Sequence, residues 1–521
     1  MRQPTVTNDA IARHTSQSFG GYDIRESSGE QSAAAMTNMS SDQYPVMTPR
    51  KYRYKTSVQT SLTAFGAYDK TFLVDGTSFY YDGVSQGTVT AGTKVFAALN
   101  AYIIIMPDKK YYKPATDEFG SLEASWTGTV SFADGTLYEE PATANTITTS
   151  GTAFPFSAGD AIAISGCTTY PNNNQTSIIR EISADAKSLY FYENIFDVGA
   201  ESGTVTLART IPAMDYICEC SNRLWGCKGD TIYASALGDP TNFNKFDGVA
   251  TDSFAADVGS PGDFTGCFSY LGYPIFFKED SIYKVYGSKP SNFEAMKSAT
   301  LGCASGSHLS FAIAGEVLYY LSRAGIMAYT GGIPENISGP FGGARYKNAV
   351  GGSDGIKYYV SMQDSADAWH LFVFDPRYGV WHREDATHAV GFGWYANLYM
   401  ALSASVWVIG TPSAPSGSTV ESSLAWSYET GDITENDVAK KETVKLIVRC
   451  ELETSSTVKI EILYDSGSVW VTAKDLTAAV KQSYYIPLLP RRCDHYRLKI
   501  SGTGYAMIYS ITRETAHGSA Y

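Results

Sequence analysis

Apolar and polar residues alternate in short runs through most of this 521-residue chain, and Gly, Asp, Asn and Pro separate the runs. The stretch from Met214 to Ser298 shows the pattern twice, with three or four runs in each copy. Such alternation is typical of β-strands between tight turns, and repeated short meanders are typical of propeller blades. The pattern therefore predicts an all-β fold with a β-propeller at its centre.

Further units of this kind precede and follow that stretch. Asp75-Gly76 and Asp82-Gly83 separate alternating runs, which is typical of hairpin turns. After Ser298, similar meanders continue to about residue 411. The total is about six or seven units of roughly 25 to 40 residues, which is the range expected for a propeller.

Changes in composition divide the chain into six predicted segments. They are an extended N-terminal arm at 1–50, the first propeller strands at 51–116, an inserted acidic β-domain at 117–213, the remaining blades at 214–411, a linker at 412–419 and a C-terminal β-sandwich at 420–521. The arm is rich in Ser, Thr, Gln and Met, and we expect it either to be disordered or to lie across a neighbouring subunit. Clean alternation in the last segment predicts strands with one buried and one solvated face.

Acidic residues are in excess, with 53 Asp and Glu against 40 Lys and Arg, so the net charge is −13. The segment 117–213 holds 12 acidic and 3 basic residues, a net −9 of the −13. This balance opposes tight binding to a phosphate backbone, although it permits transient contact with nucleic acid. The segment is either a solvated β-domain surface or a wall that repels phosphate.

The eight cysteines fall mostly within apolar strand patterns. They are Cys167, Cys218, Cys220, Cys227, Cys267, Cys303, Cys450 and Cys493. Their positions predict buried free thiols made in a reducing compartment, and the spacing of Cys218, Cys220 and Cys227 is not that of a zinc site. The N-terminus has no signal-peptide core and the longest apolar run is too short for a bilayer, so we expect synthesis in a host cytoplasm and no membrane-spanning segment.

Two segments match or suggest catalytic patterns. Gly351-Gly352-Ser353-Asp354-Gly355 matches a nucleophile elbow, but a strand rather than a helix is predicted after it, which indicates a hairpin turn. The densest group of titratable residues comprises His382, Glu384, Asp385 and His388. Metal or general-base chemistry there would need further ligands from elsewhere, and the alternative is a surface strand end.

No other pattern assigns a reaction. A propeller glycosidase needs two carboxylates that flank the bond, and no spacing identifies such a pair. The basic group of the sandwich comprises Arg491, Arg492, Arg497 and Lys499, and it favours intersubunit ion pairs over a nucleic-acid patch. The sequence has no glycine-rich phosphate loop. We therefore predict a protein that is not an enzyme, with no catalytic, metal or cofactor residues.

Several phrases of the sequence resemble bacteriophage tail proteins. They are Asn222-Arg223-Leu224-Trp225-Gly226, Ile232-Tyr233-Ala234-Ser235, Gly238-Asp239-Pro240-Thr241-Asn242-Phe243, Phe276-Phe277-Lys278-Glu279, Tyr283-Lys284-Val285-Tyr286-Gly287, Phe374-Asp375-Pro376, Gly379-Val380-Trp381, Arg491-Arg492-Cys493-Asp494 and Ile500-Ser501-Gly502. Over roughly residues 60 to 515 the chain resembles the tail nozzle or packaged-DNA stabilisation family, the tail hubs of short-tailed phages. The acidic insertion departs from that pattern.

The resemblance implies a structural virion protein of the tail. It implies a propeller-bearing ring, commonly a hexamer, that extends the DNA channel below the head-to-tail connector and helps to retain the packaged genome. Such a ring lets DNA pass without specific binding and supports tail fibres or spikes. Two other roles stay open, namely a collar or tail-tube decoration protein, and a glycan- or receptor-binding propeller module whose Tyr and Trp faces contact sugars.

Overall fold

The computed structural model describes residues 11–25, 30–135, 144–192, 196–246, 248–410, 414–435, 440–477 and 480–517. The chain divides into two compact units, one of residues 1–71 with 309–521 and one of residues 72–308. The described residues form no α-helix, and their helical segments are four single 3-10 turns at Pro171–Asn173, Pro290–Asn292, His308–Ser310 and Gly339–Phe341. The prediction of an all-β fold is confirmed.

Four antiparallel meanders make up most of the 72–308 unit. Their strands are Thr71–Asp75, Ser78–Tyr81 and Val84–Thr88; Val95–Leu99, Tyr102–Met106, Lys110–Lys113 and Glu118–Ser121; Tyr216–Cys220, Arg223–Lys228, Thr231–Ala234 and Phe254–Asp257; and Gly266–Tyr270, Tyr273–Phe277, Ile282–Tyr286 and Glu294–Ser298. Tight turns link the first two strands of the last three meanders, with positive φ at Asn100 (52°), Asn222 (60°) and Gly272 (75°). Asn and Gly tolerate this conformation, which is why these residues place the hairpins.

An eight-stranded sheet is inserted between the second and third of these meanders. In spatial order its strands are Ala124–Gly128, Val205–Arg209, Ala161–Ser165, Thr176–Ile182, Ser188–Phe191, Ala144–Thr148, Ser131–Gly135 and Gly199–Ala200. Its apolar side chains form a separate core that includes Trp126, Phe132, Ile147, Phe191 and Leu207. The insertion is therefore an independently packed β-domain within the unit.

The other unit contains three more meanders. Their strands are Ala312–Ala314, Val317–Ser322, Gly325–Tyr329 and Glu335–Asn336; Tyr346–Ser353, Tyr358–Asp364, Trp369–Asp375 and Val380–Arg383; and Gly391–Tyr395, Asn397–Leu402, Ser405–Ile409, Tyr54–Val58 and Thr419–Val420. The last of these sheets is completed by a strand from far earlier in the sequence, because Tyr54–Val58 pairs antiparallel with Ser405–Ile409. The strand Leu62–Ala67 also belongs to this unit.

Two sheets in the same unit share one hydrophobic core and form a β-sandwich. The first sheet contains Ile11–Ser16, Ala506–His517, Lys441–Leu452, Gln482–Pro487 and Arg492–Cys493. The second contains Ala33–Thr37, Ala425–Thr430, Tyr496–Thr503, Thr457–Tyr464 and Val471–Leu476. Leu446 and Val448 of the first sheet pack with Ile460 and Ile500 of the second.

The described part of the N-terminal arm lies on this sandwich. Ile11–Ser16 and Ala33–Thr37 each form an edge strand of one of the two sheets, and the short strands Met39–Ser40 and Thr48–Pro49 pair with each other. Sequence composition predicts disorder or a neighbouring subunit for this segment, whereas the described residues contact their own chain. The physical reason is that a few dispersed apolar side chains of the arm, including Phe19 and Met36, are buried in the sandwich core.

All eight cysteines are free and buried, as predicted. Burial raises the pKa of Cys450 and Cys493 to about 11, so both thiols stay protonated at neutral pH. In the described part of the chain, no helix is long and apolar enough to cross a membrane.

Candidate functional site

The titratable group around His382 lies inside the protein. His382 is 5% exposed and Glu384 is 7% exposed, so the interpretation as a surface strand end is wrong. Burial lowers the pKa of His382 to about 4, and the imidazole is therefore neutral at pH 7. His388 lies apart from this group, because its ring stacks on Trp369 with centroids 3.7 Å apart. The sequence neighbours thus do not converge on one reacting centre.

Arginine side chains from the N-terminal segment neutralise the two carboxylates of this group. Arg53 donates to Glu384 at 2.5 Å and forms an ion pair with Asp385 at 2.8 Å. Arg50 binds Glu421 through two hydrogen bonds of 2.7 and 2.9 Å. Burial opposes ionisation of Asp385, but the charges of Arg53 and Arg50 outweigh it and hold its pKa below the ordinary value.

A carboxyl group that acts as a general acid must keep its proton near neutral pH, which requires a raised pKa. Asp385 is held ionised instead, and its neighbour Glu384 is bonded to a guanidinium. This cluster therefore has the character of a structural tie between residues 50–53 and 384–385. In the described residues, no group of three or more His, Cys, Asp or Glu side chains is arranged to hold a metal ion.

The Gly351–Gly355 motif is a hairpin, as predicted. It joins the strands Tyr346–Ser353 and Tyr358–Asp364, which pair antiparallel. The hydroxyl of Ser353 accepts a hydrogen bond of 2.9 Å from the backbone N–H of Gly355. Because this serine caps a turn between two strands, it has none of the strand-to-helix geometry of a nucleophile elbow.

Three of the four basic residues of the sandwich, Arg491, Arg497 and Lys499, have partners within the chain. Arg497 donates to Asp432 at 2.5 Å and also lies 3.6 Å from Glu429. Lys499 lies over the ring of Trp470, and Arg491 lies over the ring of Tyr464. These contacts are local, and the predicted intersubunit ion pairs stay a prediction.

An exposed aromatic group lies at the ends of two neighbouring strands in the unit that contains the sandwich. It comprises Tyr68, Trp394 and Tyr395, which are 63%, 50% and 36% exposed, and we call it the aromatic hairpin surface. Tyr68 follows the strand Leu62–Ala67, and the other two residues end the strand Gly391–Tyr395. Because these exposed rings occur on two adjoining strands, they form a candidate contact surface.

Glycine allows the two strands to approach closely. A Cβ atom at Gly393 would lie only 2.8 Å from the Cβ of Ala67, and one at Gly391 would lie 3.1 Å from the Cβ of Phe65. Gly391 lies beside Phe65 and Gly393 beside Ala67, so the two strands run in the same direction. One and two residues further along, Trp394 and Tyr395 are level with residues 68 and 69. Trp394 and Tyr395 lie on a paired strand and, as consecutive residues, leave opposite faces of the sheet, whereas Tyr68 lies in the turn that follows its strand.

The chemistry of this surface suits sugars. Aromatic rings pack against the C–H faces of pyranose rings, while the tyrosine hydroxyls and the indole N–H can bond to sugar hydroxyls. The sequence pattern did not single out these residues, because Trp394 and Tyr395 occur in an ordinary alternating strand and only the burial shows that they face solvent.

No protein-family model matches the chain, and no curated protein matches it. Among solved structures it is similar to Raptor from Chaetomium thermophilum, with a TM-score of 0.32 and 10% identity over 70% of this chain and 30% of that chain. It is also similar to the endosialidase of phage phi92, with a TM-score of 0.26 and 8% identity over 74% of each chain. A third is an exo-β-1,3-galactanase from Phanerochaete chrysosporium, with a TM-score of 0.23 and 11% identity over 58% of this chain and 96% of that chain.

The expectation that the chain is not an enzyme is contradicted, because glycoside hydrolases and an endosialidase are among the similar solved structures. That expectation rested on the lack of a local motif. In such enzymes the reacting carboxylates converge in space from separate strands, so their spacing along a sequence does not reveal them. TM-scores of 0.32 or less assign no reaction to this chain.

Proposed function

We propose that this chain is a bacteriophage tail component that binds carbohydrate through the aromatic hairpin surface. The observation that carries the proposal is the exposure of Tyr68, Trp394 and Tyr395 at 63%, 50% and 36% on adjoining hairpin ends. The meanders would then be propeller blades that support this surface. The tail location rests on the sequence phrases between Asn222 and Gly502 that resemble tail hubs.

Physical considerations favour a weak, multivalent contact. Each aromatic contact adds roughly 0.5–1.5 kcal/mol beyond the burial of area, so contact with one or two of these rings gives modest affinity for one short glycan. Rigid strands reduce the entropy lost on binding, because the rings need little reorganisation. Several copies on one virion would raise the effective affinity for a repetitive surface polysaccharide.

The test is binding of the full chain to polysaccharide from a host surface, measured on a glycan array and by titration. We expect Trp394→Ala and Tyr395→Ala each to weaken binding about three- to tenfold, while thermal unfolding stays unchanged. Tyr485→Ala is the matched control, because this side chain is 69% exposed but lies on the sandwich. Equal binding by the wild type, Trp394→Ala and Tyr485→Ala would overturn the proposal.

A ring-forming tail nozzle is the second candidate. The observation that favours it is the acidic excess of residues 117–213, since a channel wall that repels phosphate would let DNA slide through. Mass photometry of the purified chain separates the two candidates. A closed homo-oligomer that does not bind polysaccharide would favour the nozzle, whereas a monomer that binds it would favour the glycan module.

A further inference from the structure

Two meanders of the 72–308 unit each carry a lysine between two tyrosines on the surface of the sheet. In the first, the ammonium of Lys113 lies 4.9 Å from the ring centroid of Tyr102 and 5.0 Å from that of Tyr111. The two rings are 5.2 Å apart and nearly perpendicular. We call this group the Lys113 cage.

The second meander repeats the arrangement with tighter contacts. The ammonium of Lys284 lies 3.9 Å from the centroid of Tyr273 and 4.9 Å from that of Tyr286, and the ring centroids are 5.2 Å apart. Tyr286 is 37% exposed, so the group is accessible to solvent. We call it the Lys284 cage. Cation–π contacts of this kind hold the ammonium in a fixed position.

The two cages differ in how the lysine charge is balanced. Strand register places Lys113 opposite Glu118, and the two form an ion pair of 2.9 Å. In the second cage the lysine and tyrosine positions on the third strand are exchanged. Tyr286 therefore lies opposite Glu294, and Lys284 lies opposite Met296.

This exchange leaves the charge of Lys284 without a carboxylate. No described residue forms an ion pair with Lys284, whereas Lys113 has Glu118. Met296 beside it is 53% exposed and extends the apolar surface around the ammonium. An immobilised cation flanked by aromatic and apolar groups is complementary to a ligand with one negative charge and an apolar face.

We propose that the Lys284 cage binds the carboxylate of an acidic sugar. The ammonium of Lys284 donates a charge-assisted hydrogen bond to the sugar carboxylate, and the partly exposed ring of Tyr286 packs against C–H groups of the sugar. A single cation suits one carboxylate better than a polyphosphate, which the net charge of −13 repels. Glu294 lies two residue pairs away along the same two strands and limits the affinity by repulsion.

The proposal is independent of the aromatic hairpin surface, which belongs to the other unit. The probe is a hyaluronan tetrasaccharide, which carries glucuronate carboxylates, with the same tetrasaccharide reduced to primary alcohols as its neutral counterpart. Saturation-transfer NMR titration of the full chain measures both. We expect the acidic form to bind about tenfold more tightly than the reduced form, because only the acidic form uses the charge of Lys284.

Four variants test the assignment to this cage. Lys284→Gln is expected to remove the preference for the acidic probe, and Lys113→Gln, the matched control, is expected to keep it. The double variant Lys284→Tyr with Tyr286→Lys retains the composition but moves the lysine opposite Glu294, so it should also lose the preference. Glu294→Gln should raise the affinity for the acidic probe, because it removes a nearby negative charge.

Several results would overturn the proposal. They are no binding of the acidic probe, equal binding of both probes by the wild type, or unchanged preference in Lys284→Gln. Trp394→Ala separates this outcome from that of the proposed function. Loss of acidic-probe binding in Trp394→Ala with full binding in Lys284→Gln would assign the sugar to the aromatic hairpin surface and reject the Lys284 cage.

Discussion

Arg53 and Glu384 are 331 residues apart in the sequence, yet Nη2 of the arginine donates to Oε2 of the glutamate at 2.5 Å. The two side chains are 5% and 9% exposed. Asp385 and Arg50 extend the cluster on either side of this pair. Folding thus joins an early loop to the end of a much later sheet through buried opposite charges.

Glu384→Ala is expected to lower the free energy of unfolding by about 3–5 kcal/mol, because it leaves a buried guanidinium charge partly uncompensated. Asp367→Asn is the control in the same unit, because it removes the ion pair between Asp367 and Lys347. The side chains of Lys347 and Asp367 are 52% and 69% exposed, respectively. We expect at most about 1 kcal/mol for the control. Urea denaturation followed by tryptophan fluorescence measures both, and equal stability of the two variants would contradict a structural role for Glu384.

His382 makes stability depend on pH. Its pKa is lowered to about 4 in the folded protein, against an ordinary value near 6.5, so between these values the unfolded chain binds more protons. The stabilisation is complete above pH 6.5 and is lost as the pH falls towards 4, by about 3 kcal/mol in all. His382→Gln should flatten this part of the stability profile. A variant profile parallel to that of the wild type between pH 7 and 4 would disprove the assignment.

Glu201 holds a loop of the inserted domain through its carboxylate. Oε1 accepts hydrogen bonds from the backbone N–H groups of Thr168 and Thr169 at 3.1 and 2.7 Å, and Oε2 accepts one from Tyr170 at 3.1 Å. Burial opposes ionisation, but these donors outweigh it and lower the pKa to about 2. The stabilisation is therefore present above the unfolded pKa near 4.5 and is lost as the pH falls through about 2.

Glu201→Gln replaces one of the two acceptor oxygens with an amide donor. We expect faster hydrogen exchange at Thr168, Thr169 and Tyr170, with the remaining strands of the domain unaffected. Glu181→Gln is the control, because Glu181 lies exposed on a strand of the same domain. Unchanged exchange at Thr169 in Glu201→Gln would show that backbone contacts alone hold the loop.

Gly21 brings the N-terminal arm against the strand Val380–Arg383. A Cβ atom at this position would overlap the backbone oxygen of Trp381 and lie 2.9 Å from its nitrogen. The next residue, Tyr22, donates a backbone hydrogen bond of 2.6 Å to the same oxygen. Because backbone atoms cannot move aside, Gly21→Ala should destabilise the protein by about 1–3 kcal/mol.

Protease sensitivity of the arm and thermal unfolding measure the effect of Gly21→Ala. Gly332→Ala is the matched control, since a Cβ atom there has no described neighbour within 4 Å. An arm that stays equally protected in both variants would mean that the close approach at Gly21 is not required.

Alternation along the sequence was enough to predict strands and hairpins, because in a strand such as Thr457–Tyr464 buried and more exposed residues alternate and mark its two faces. Burial of charge could not be predicted in this way. From the sequence alone, His382 and Glu384 indicate a surface position, because the sequence does not show that Arg53 lies beside Glu384. The arm was similarly misleading, since its few apolar side chains, such as Phe19 and Met36, are too dispersed to form a periodic pattern.

The Lys284 cage depends on the register in which its strands pair, and this register cannot be predicted from the sequence. Tyr273 and Tyr286 are recognisable as strand residues, but a shift of one residue in pairing would place them on opposite faces. The same holds for the aromatic hairpin surface, where exposure depends on which strands end side by side. A site formed by neighbouring strands can therefore be predicted only when the strand pairing is known, whereas the strands themselves can be predicted without it.

Two early strands pair with strands that are synthesised much later. Tyr54–Val58 pairs with Ser405–Ile409, and Ile11–Ser16 pairs with Ala506–His517. A ribosome must translate some 350 to 500 further codons before either early strand can meet its partner. Until then both segments lack these partner strands, and their unpaired backbone groups can pair with other nascent chains. Premature termination near residue 400 would thus release a fragment in which the strands Ile11–Ser16 and Tyr54–Val58 both lack their partner strands.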